Sequence, residues 1–333
     1  MDTERFGIGR RAALGFGAAA LGLARGASAQ QPWSPPRTVR MIVAYPPGGG
    51  ADTTARLLAV PLSSFLGQSI VVENRPGAGS TIGAGEVARA APDGCTLFLD
   101  SAGHTMAPAL IRNLPFDYAT AFTPISKVIL LPQVVVVPAA SPDTGLAALV
   151  ARAKANPGRL TIASSGNGGE QHITGVLLMR GAGIDMTHVP YRGGAPAMQS
   201  LLSGDVDCAV ATITSALALV RDGKLRALAA TGADRISSLP DVPTVAELNL
   251  PGLIGFDRSE WNGVLAPAGL PPAAVERIHA GLLQGLAAPN VKQRLEAIGA
   301  VVLGTSAADF AAFLARERTA MATLVREANI VAD

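Results

Sequence analysis

Cysteine and histidine are scarce in this chain, two and four among 333 residues. Cys95 and Cys208 cannot hold a metal by themselves, and His104, His172, His188 and His279 show no metal-ligand spacing. Neither a metal nor a cofactor is expected. Both cysteines fall in strand-like runs, and two buried free thiols are preferred over a disulfide. A membrane-length apolar run is missing as well. The stretch 128–137 is far short of the ~20 residues a bilayer needs, and it contains Pro132. Charge of one sign is missing too: 27 Lys and Arg stand against 25 Asp and Glu, a formal +2. The segment before residue 30 supplies that surplus through Arg5, Arg10, Arg11 and Arg25 against Asp2 and Glu4, so the remainder is near neutral. Nucleic acid and anionic membrane lose their electrostatic argument. No fixed-period repeat, low-complexity stretch or pair of carboxylates at catalytic spacing is present.

What is present begins with an export signal. Arg10-Arg11 precedes a Gly/Ala-rich apolar stretch at 12–24, and Ala27-Ser28-Ala29 forms a small-residue cleavage site. Residues 1–29 are read as a signal peptide, of twin-arginine rather than general secretory type, leaving Gln30 first and the protein in the periplasm.

Beyond the signal, strand-like and helix-like runs alternate, which predicts an α/β protein with largely parallel sheets. Strands are expected at 39–44, 69–73, 96–100, 127–137, 160–163, 188–191, 208–211, 225–231 and 261–265. Helices are expected at 52–65, 81–91, 144–155, 171–180, 195–203, 272–287 and 307–328. Asp52 is placed to cap the first helix, and Pro61 predicts a kink within it. Crossovers near 138 and 257 divide the chain into a domain of residues 30–138 plus 258–333 and a domain of residues 139–257. A cleft between two such domains is a natural small-molecule site.

Two glycine-rich turns carry the functional information. One is Tyr45-Pro46-Pro47-Gly48-Gly49-Gly50-Ala51-Asp52, the other Ser164-Ser165-Gly166-Asn167-Gly168-Gly169-Glu170. Each joins a strand-like run to a helix-like run and so presents backbone N–H groups at the positive end of a helix dipole. Neither holds Lys, Arg or Cys, and neither has phosphate-loop or dinucleotide-loop spacing. This favours capture of a carboxylate over phosphate chemistry. The bland reading of the first turn is a plain strand-to-helix corner, but three consecutive glycines exceed what a corner needs. Ser165 and His172 also invite a secreted serine hydrolase, although the Gly-x-Ser-x-Gly elbow is missing. His172 reads better as a helix-face residue satisfying a carbonyl. His104 has two readings, cleft lining or buried structural histidine. Tyr191 either meets a ligand or packs at a domain edge. Glu260-Trp261-Asn262-Gly263 reads as a hinge crossing, with Trp261 in the core.

The chain resembles the Bug or TctC family, the periplasmic solute-binding proteins of tripartite tricarboxylate transporters. The resemblance is carried by both turns and by Val72-Glu73-Asn74-Arg75-Pro76-Gly77-Ala78-Gly79, Ala91-Pro92-Asp93-Gly94 and Asn113-Leu114-Pro115-Phe116-Asp117. Val189-Pro190-Tyr191-Arg192-Gly193, Leu239-Pro240-Asp241-Val242-Pro243-Thr244-Val245 and Glu260-Trp261-Asn262-Gly263 complete it, in the family's order. It implies a two-domain periplasmic-binding-protein type II fold, a Venus flytrap with a hinge and an interdomain ligand cleft. It also implies a monomeric receptor, not an enzyme, that delivers a small organic mono-, di- or tricarboxylate to membrane permease subunits. A carboxylate-sensing subunit without a transport role is the variant reading. The ligand's carboxylate would meet Tyr45, Pro47, Gly48, Gly49, Gly50, Ala51 and Asp52 on one side and Ser165, Gly166, Asn167 and Gly168 on the other. Its far end would meet Ser101, His104, Tyr191 and the segment Ala211-Thr212-Ile213-Thr214. Gly169 stands where the family commonly has Ser or Thr. Small residues near Ala211 and Thr212 replace a common aromatic, which suggests a roomier pocket.

Overall fold

The computed structural model describes residues 33–328 and residue 330. The expected signal peptide at 1–29 lies outside the described residues. In chain order the first elements are β1 (Val39–Val43), α1 (Gly50–Leu66), β2 (Ile70–Asn74), α2 (Thr81–Ala88), β3 (Thr96–Asp100), α3 (Gly103–Leu110) and β4 (Phe122–Pro138). Then come α4 (Leu146–Ala155), β5 (Thr161–Ser164), α5 (Glu170–Ala182), β6 (Thr187–Pro190), α6 (Gly194–Ser203), β7 (Cys208–Thr212), α7 (Ile213–Arg221) and β8 (Leu225–Ala230). The chain closes with β9 (Ser259–Pro267), α8 (Pro272–Ala287), α9 (Pro289–Ala297), β10 (Val301–Val302) and α10 (Ala307–Glu327). The described residues from Ser34 onward group into one compact unit.

The first helix shows how pattern becomes packing. Ala51, Ala55, Leu58, Leu62 and Leu66 recur at helical spacing and are all buried, while Arg56 and Val60 face out. Gly67 ends the helix in the left-handed region at φ 72°, its N–H bonded to Ser63 O at 3.0 Å. The helix runs 17 residues through Pro61, so that proline does not end it.

The sheet is mixed, which corrects the largely parallel expectation. Its order is β2-β1-β3-β9-β4-β7-β5-β6, with β8 and β10 also pairing β4. β1 lies parallel to β2 and β3, and β5 lies parallel to β6 and β7. Between these groups run the long strands β4 and β9, antiparallel to all their neighbours. β4 pairs β9 from Phe122 through Pro132, then switches to β7 and β8 from Gln133 onward. Its later half is buried on both faces, and alternate side chains enter two different cores. Val135 and Val137 pack with Leu149, Ile162 and Val210, whereas Val134 and Val136 pack with Leu201, Ala209 and Ala211.

A third core collects Ile42, Phe98, Phe122, Trp261 and Phe310. Trp261 meets Phe310 and Phe313 edge-on at 5.6 and 5.5 Å, so it is a core residue as expected. A fourth cluster joins Met106 of α3, Ile173 and Val176 of α5 and Met321 and Leu324 of α10. That seam holds the start of α5 close to α3.

Cys95 and Cys208 are both buried and unpaired, each thiol against a backbone carbonyl at 3.7 Å. Burial pushes both thiols above the ordinary cysteine range. A thiol reagent at about pH 8 is expected to label neither cysteine in the folded protein and both in denaturant. Labelling of only one after unfolding without reductant would contradict two free thiols.

Candidate functional site

The first glycine turn leaves the carboxyl end of β1 and feeds α1. Gly49 is the residue before the helix, at φ −78° and ψ 174°, and intrahelical bonding starts with Thr53 N–H to Gly49 O at 2.9 Å. The N–H groups of Gly50, Ala51 and Asp52 therefore precede the ladder and point out of the helix end. Asp52 is not the capping residue. It is the third residue of α1, and its carboxylate reaches back to accept the N–H of Gly48 at 2.9 Å. Asn74 donates to the same carboxylate at 2.9 Å and to Tyr45 O at 3.0 Å, and Arg56 donates at 3.0 Å. Burial would push this carboxyl up, but Arg56, the Gly48 N–H and Asn74 outweigh it and hold it below the usual range. Asp52 thus shapes the turn, and only its backbone N–H remains to meet an anion.

The hydroxyl of Tyr45 accepts the N–H of Gly103 at 3.2 Å, tying this turn to the start of α3. Burial and the nearby Asp100 carboxylate push the Tyr45 phenol well above its ordinary range, so it stays neutral. Ser101 is buried beside it, its N–H on Asp100 Oδ1 at 2.9 Å. The His104 ring lies 3.3 Å from Asp100 Oδ2 through Nδ1. It is 1 % exposed and packs edge-on against Tyr118 and Phe122 at 5.0 and 5.1 Å, inside the aromatic core.

The second turn leaves β5 and feeds α5, with Gly169 before the helix and Ile173 N–H to Gly169 O at 3.1 Å starting the ladder. Its side chains are cross-tied. Ser165 Oγ donates to Gln171 Oε1 at 2.6 Å, and Gly168 N–H donates to His172 Nδ1 at 3.1 Å. The rings of His172 and His188 stack at 3.9 Å, and His188 Nε2 lies 2.7 Å from Ser164 Oγ. The Ser165–His172 pairing that a hydrolase would use is therefore not assembled. His172 Nδ1 thus serves the backbone of its own turn. Gly166 and Asn167 form the half-buried crest of the turn. Gln171 Oε1 lies 3.6 Å from where a Cβ on Gly169 would stand, an ordinary van der Waals contact.

Two routes bring the turns together. Gly50 lies against Leu131, where an added Cβ would come within 2.6 Å of its methyl. Leu131 is paired across the sheet with Glu260, and Glu260 Oε2 accepts from Gln171 Nε2 and Thr212 Oγ1, both at 2.9 Å. Gln171 also donates to Thr212 Oγ1. On the other route Gly168, in the left-handed region at φ +68°, would place a Cβ 2.7 Å from Leu110 of α3. Thr212 is thus a network member at the last position of β7, where α7 begins at once. Tyr191 is tied through its hydroxyl to Ser200 on α6, and its ring leans on the core beneath. Pro47 is exposed at the lip of the first turn.

Gln171 and Glu260 join the candidate site only in the fold. Glu260 opens the motif Glu260-Trp261-Asn262-Gly263, but nothing local in the sequence links it to Gln171 and Thr212. One residue before Gln171, Glu170 is buried and paired with Arg258, which also bonds Glu317 of α10 at 3.1 Å. A groove of about 1030 Å³ lies at the far end of α5, lined by Leu177, Arg180, Phe256 and Thr323 among others. None of the sequence-predicted site residues lines it.

The family model "Tripartite tricarboxylate transporter family receptor" matches residues 54–330. Protein BugT of Bordetella pertussis is 35% identical over 318 residues, 95% of this chain and 96% of that protein. MatC from Rhodopseudomonas palustris with bound malate superposes with a TM-score of 0.77 at 33% identity, covering 87% of this chain and 99% of that one. An R. palustris protein with adipate gives a TM-score of 0.81 at 31% identity, over 89% and 99% of the two chains.

Proposed function

Because the chain belongs to the tripartite tricarboxylate transporter receptor family, we propose that it captures a small organic carboxylate between its two glycine turns and hands it to membrane permease subunits. In this reading it acts outside the cytoplasm, and residues 30–138 with 258–333 form one jaw against 139–257. One observation supports it: the start of α1 rests on Leu131 and the start of α5 is bonded to Glu260, the residue paired with Leu131 across the sheet, and each helix start has free backbone N–H groups and no basic residue in its glycine turn. Backbone donors and trapped water hold a carboxylate without a fixed cation, and closure excludes bulk solvent. The malate and adipate of the neighbouring structures fit that chemistry.

The test is thermal stabilisation of the mature protein by malate, adipate, citrate and benzoate, with glucose and calcium as controls. A true ligand at about 100 times its Kd adds roughly 2.7 kcal/mol to the folded state. Stabilisation by glucose or calcium with none by any carboxylate would overturn the reading.

A further inference from the structure

We propose that Glu260 contacts the ligand and does so as the neutral acid, donating its proton to the ligand's carboxylate, so that each binding event takes up one proton from solvent. The inference rests on the carboxylate reading above and adds the charge state of the complex. Its geometric basis is the position of Glu260. The residue is half-buried on β9, beside the Leu131 that underlies Gly50, and is bonded to the Gln171 that braces Ser165. It therefore lies where the two N–H-rich turns converge.

The groups facing it come from four elements. Gln171 and Thr212, from α5 and β7, both donate to Oε2 and are neutral. Tyr45, from the first turn, is a neutral phenol within electrostatic reach. Glu170, at the start of α5, is a second acid. Arg258, two residues earlier on the approach to β9, is committed to Glu170 and Glu317. Oε2 is thus saturated by neutral donors, Oε1 takes no protein donor among the described residues, and the charge acting on the pair is negative. Burial, with Glu170, pushes the Glu260 carboxyl above its ordinary range against the pull of Thr212 and Gln171.

Bringing a ligand carboxylate to this point makes two carboxylates share one site. Both cannot stay ionised, and the one with the weaker set of donors takes up a proton. The ligand has the N–H groups of both turns, whereas Glu260 has two neutral donors on Oε2 alone, so Glu260 takes it. The O–H on Oε1 then points at a ligand oxygen and forms a charge-assisted hydrogen bond. The proton comes from solvent, and the net charge of the complex equals that of the free protein plus ligand plus one.

Calorimetry of the full mature protein in two buffers of different ionisation heat tests this. The probe is whichever of malate, adipate, citrate or benzoate gives the largest thermal shift. The expected result is uptake of about one proton per ligand near pH 7, with Kd rising up to tenfold per pH unit on the alkaline side. In Glu260→Gln the uptake and the pH slope vanish. Thr212→Val, which strips one donor from Oε2, moves the pH midpoint upward. Binding without proton uptake in the unaltered protein overturns the inference but leaves the carboxylate reading intact. Undiminished uptake in Glu260→Gln overturns it too. Absence of binding by every carboxylate overturns both.

Discussion

Gly49→Val is expected to weaken carboxylate binding by at least a hundredfold while leaving the fold native. A Cβ at Gly49 meets only Pro46 O, at 3.6 Å, and the backbone there suits any residue. The side chain instead occupies the mouth of the turn, where the ligand must approach the N–H groups. The cost to stability is about 1 kcal/mol, from a poorer residue before the helix. Gly50→Val separates the two effects. Its Cβ would stand 2.6 Å from Leu131, so that variant should lose about 1–3 kcal/mol of stability as well as binding. Thermal shift with and without carboxylate, alongside far-UV dichroism, reads both outcomes. Full binding by Gly49→Val would remove the first turn from the site.

Arg258→Met is expected to cost about 3–5 kcal/mol near neutral pH, the usual penalty for stranding one partner of a buried ion pair. Glu170 and Arg258 are 3 % and 16 % exposed, and Glu317 is the outer member of the triad. Burial already pushes the Glu170 carboxyl up, and Arg258 is what pulls against that. Without the arginine it rises further. A group whose folded pKa exceeds its unfolded value of about 4.3 gives its full stability below that value and loses it as pH rises through the folded pKa. The deficit of the variant should therefore be smallest near pH 4 and grow towards neutrality, and Glu170→Gln on the same background should recover much of it. A deficit independent of pH would mean that Arg258 acts by packing alone.

Much of the fold was legible because its signals are local. Strand, glycine turn and helix follow one another within a few residues at both turns, and Gly67, Gly183 and Gly204 end helices in the left-handed region. Four short elements escaped. In α3 the opening Gly103 and internal Pro108 mask the helical pattern, and α7 starts without any loop after Thr212. The helix α9 opens on Pro289 and buries only Val291 and Leu295, while β10 is two residues long. Strand direction was not legible either, since β3 finds β9 only after most of the chain has passed. The site divided the same way. The backbone donors of the turns could be read in place. The Gln171–Thr212–Glu260 network could not, because its bonds span 41, 48 and 89 residues. The two readings of His104 could not be separated in the sequence, because its neighbours Tyr118 and Phe122 are more than ten residues away.

The place of β9 in the sheet also governs how this chain must acquire its structure as it emerges. The β1–β3 sheet has β9 as its next strand, and Trp261 and Phe310 complete the core over it. Until residues beyond 259 are available, β3 offers an open edge and β4 lacks the partner of its first eleven residues. The segment around β5–β7 has its own parallel pairings and meets them sooner. Assembly is therefore ordered from the middle outwards, and the N-terminal sheet closes last. A truncation before β9 thus leaves an exposed strand edge on β3 rather than a smaller folded protein.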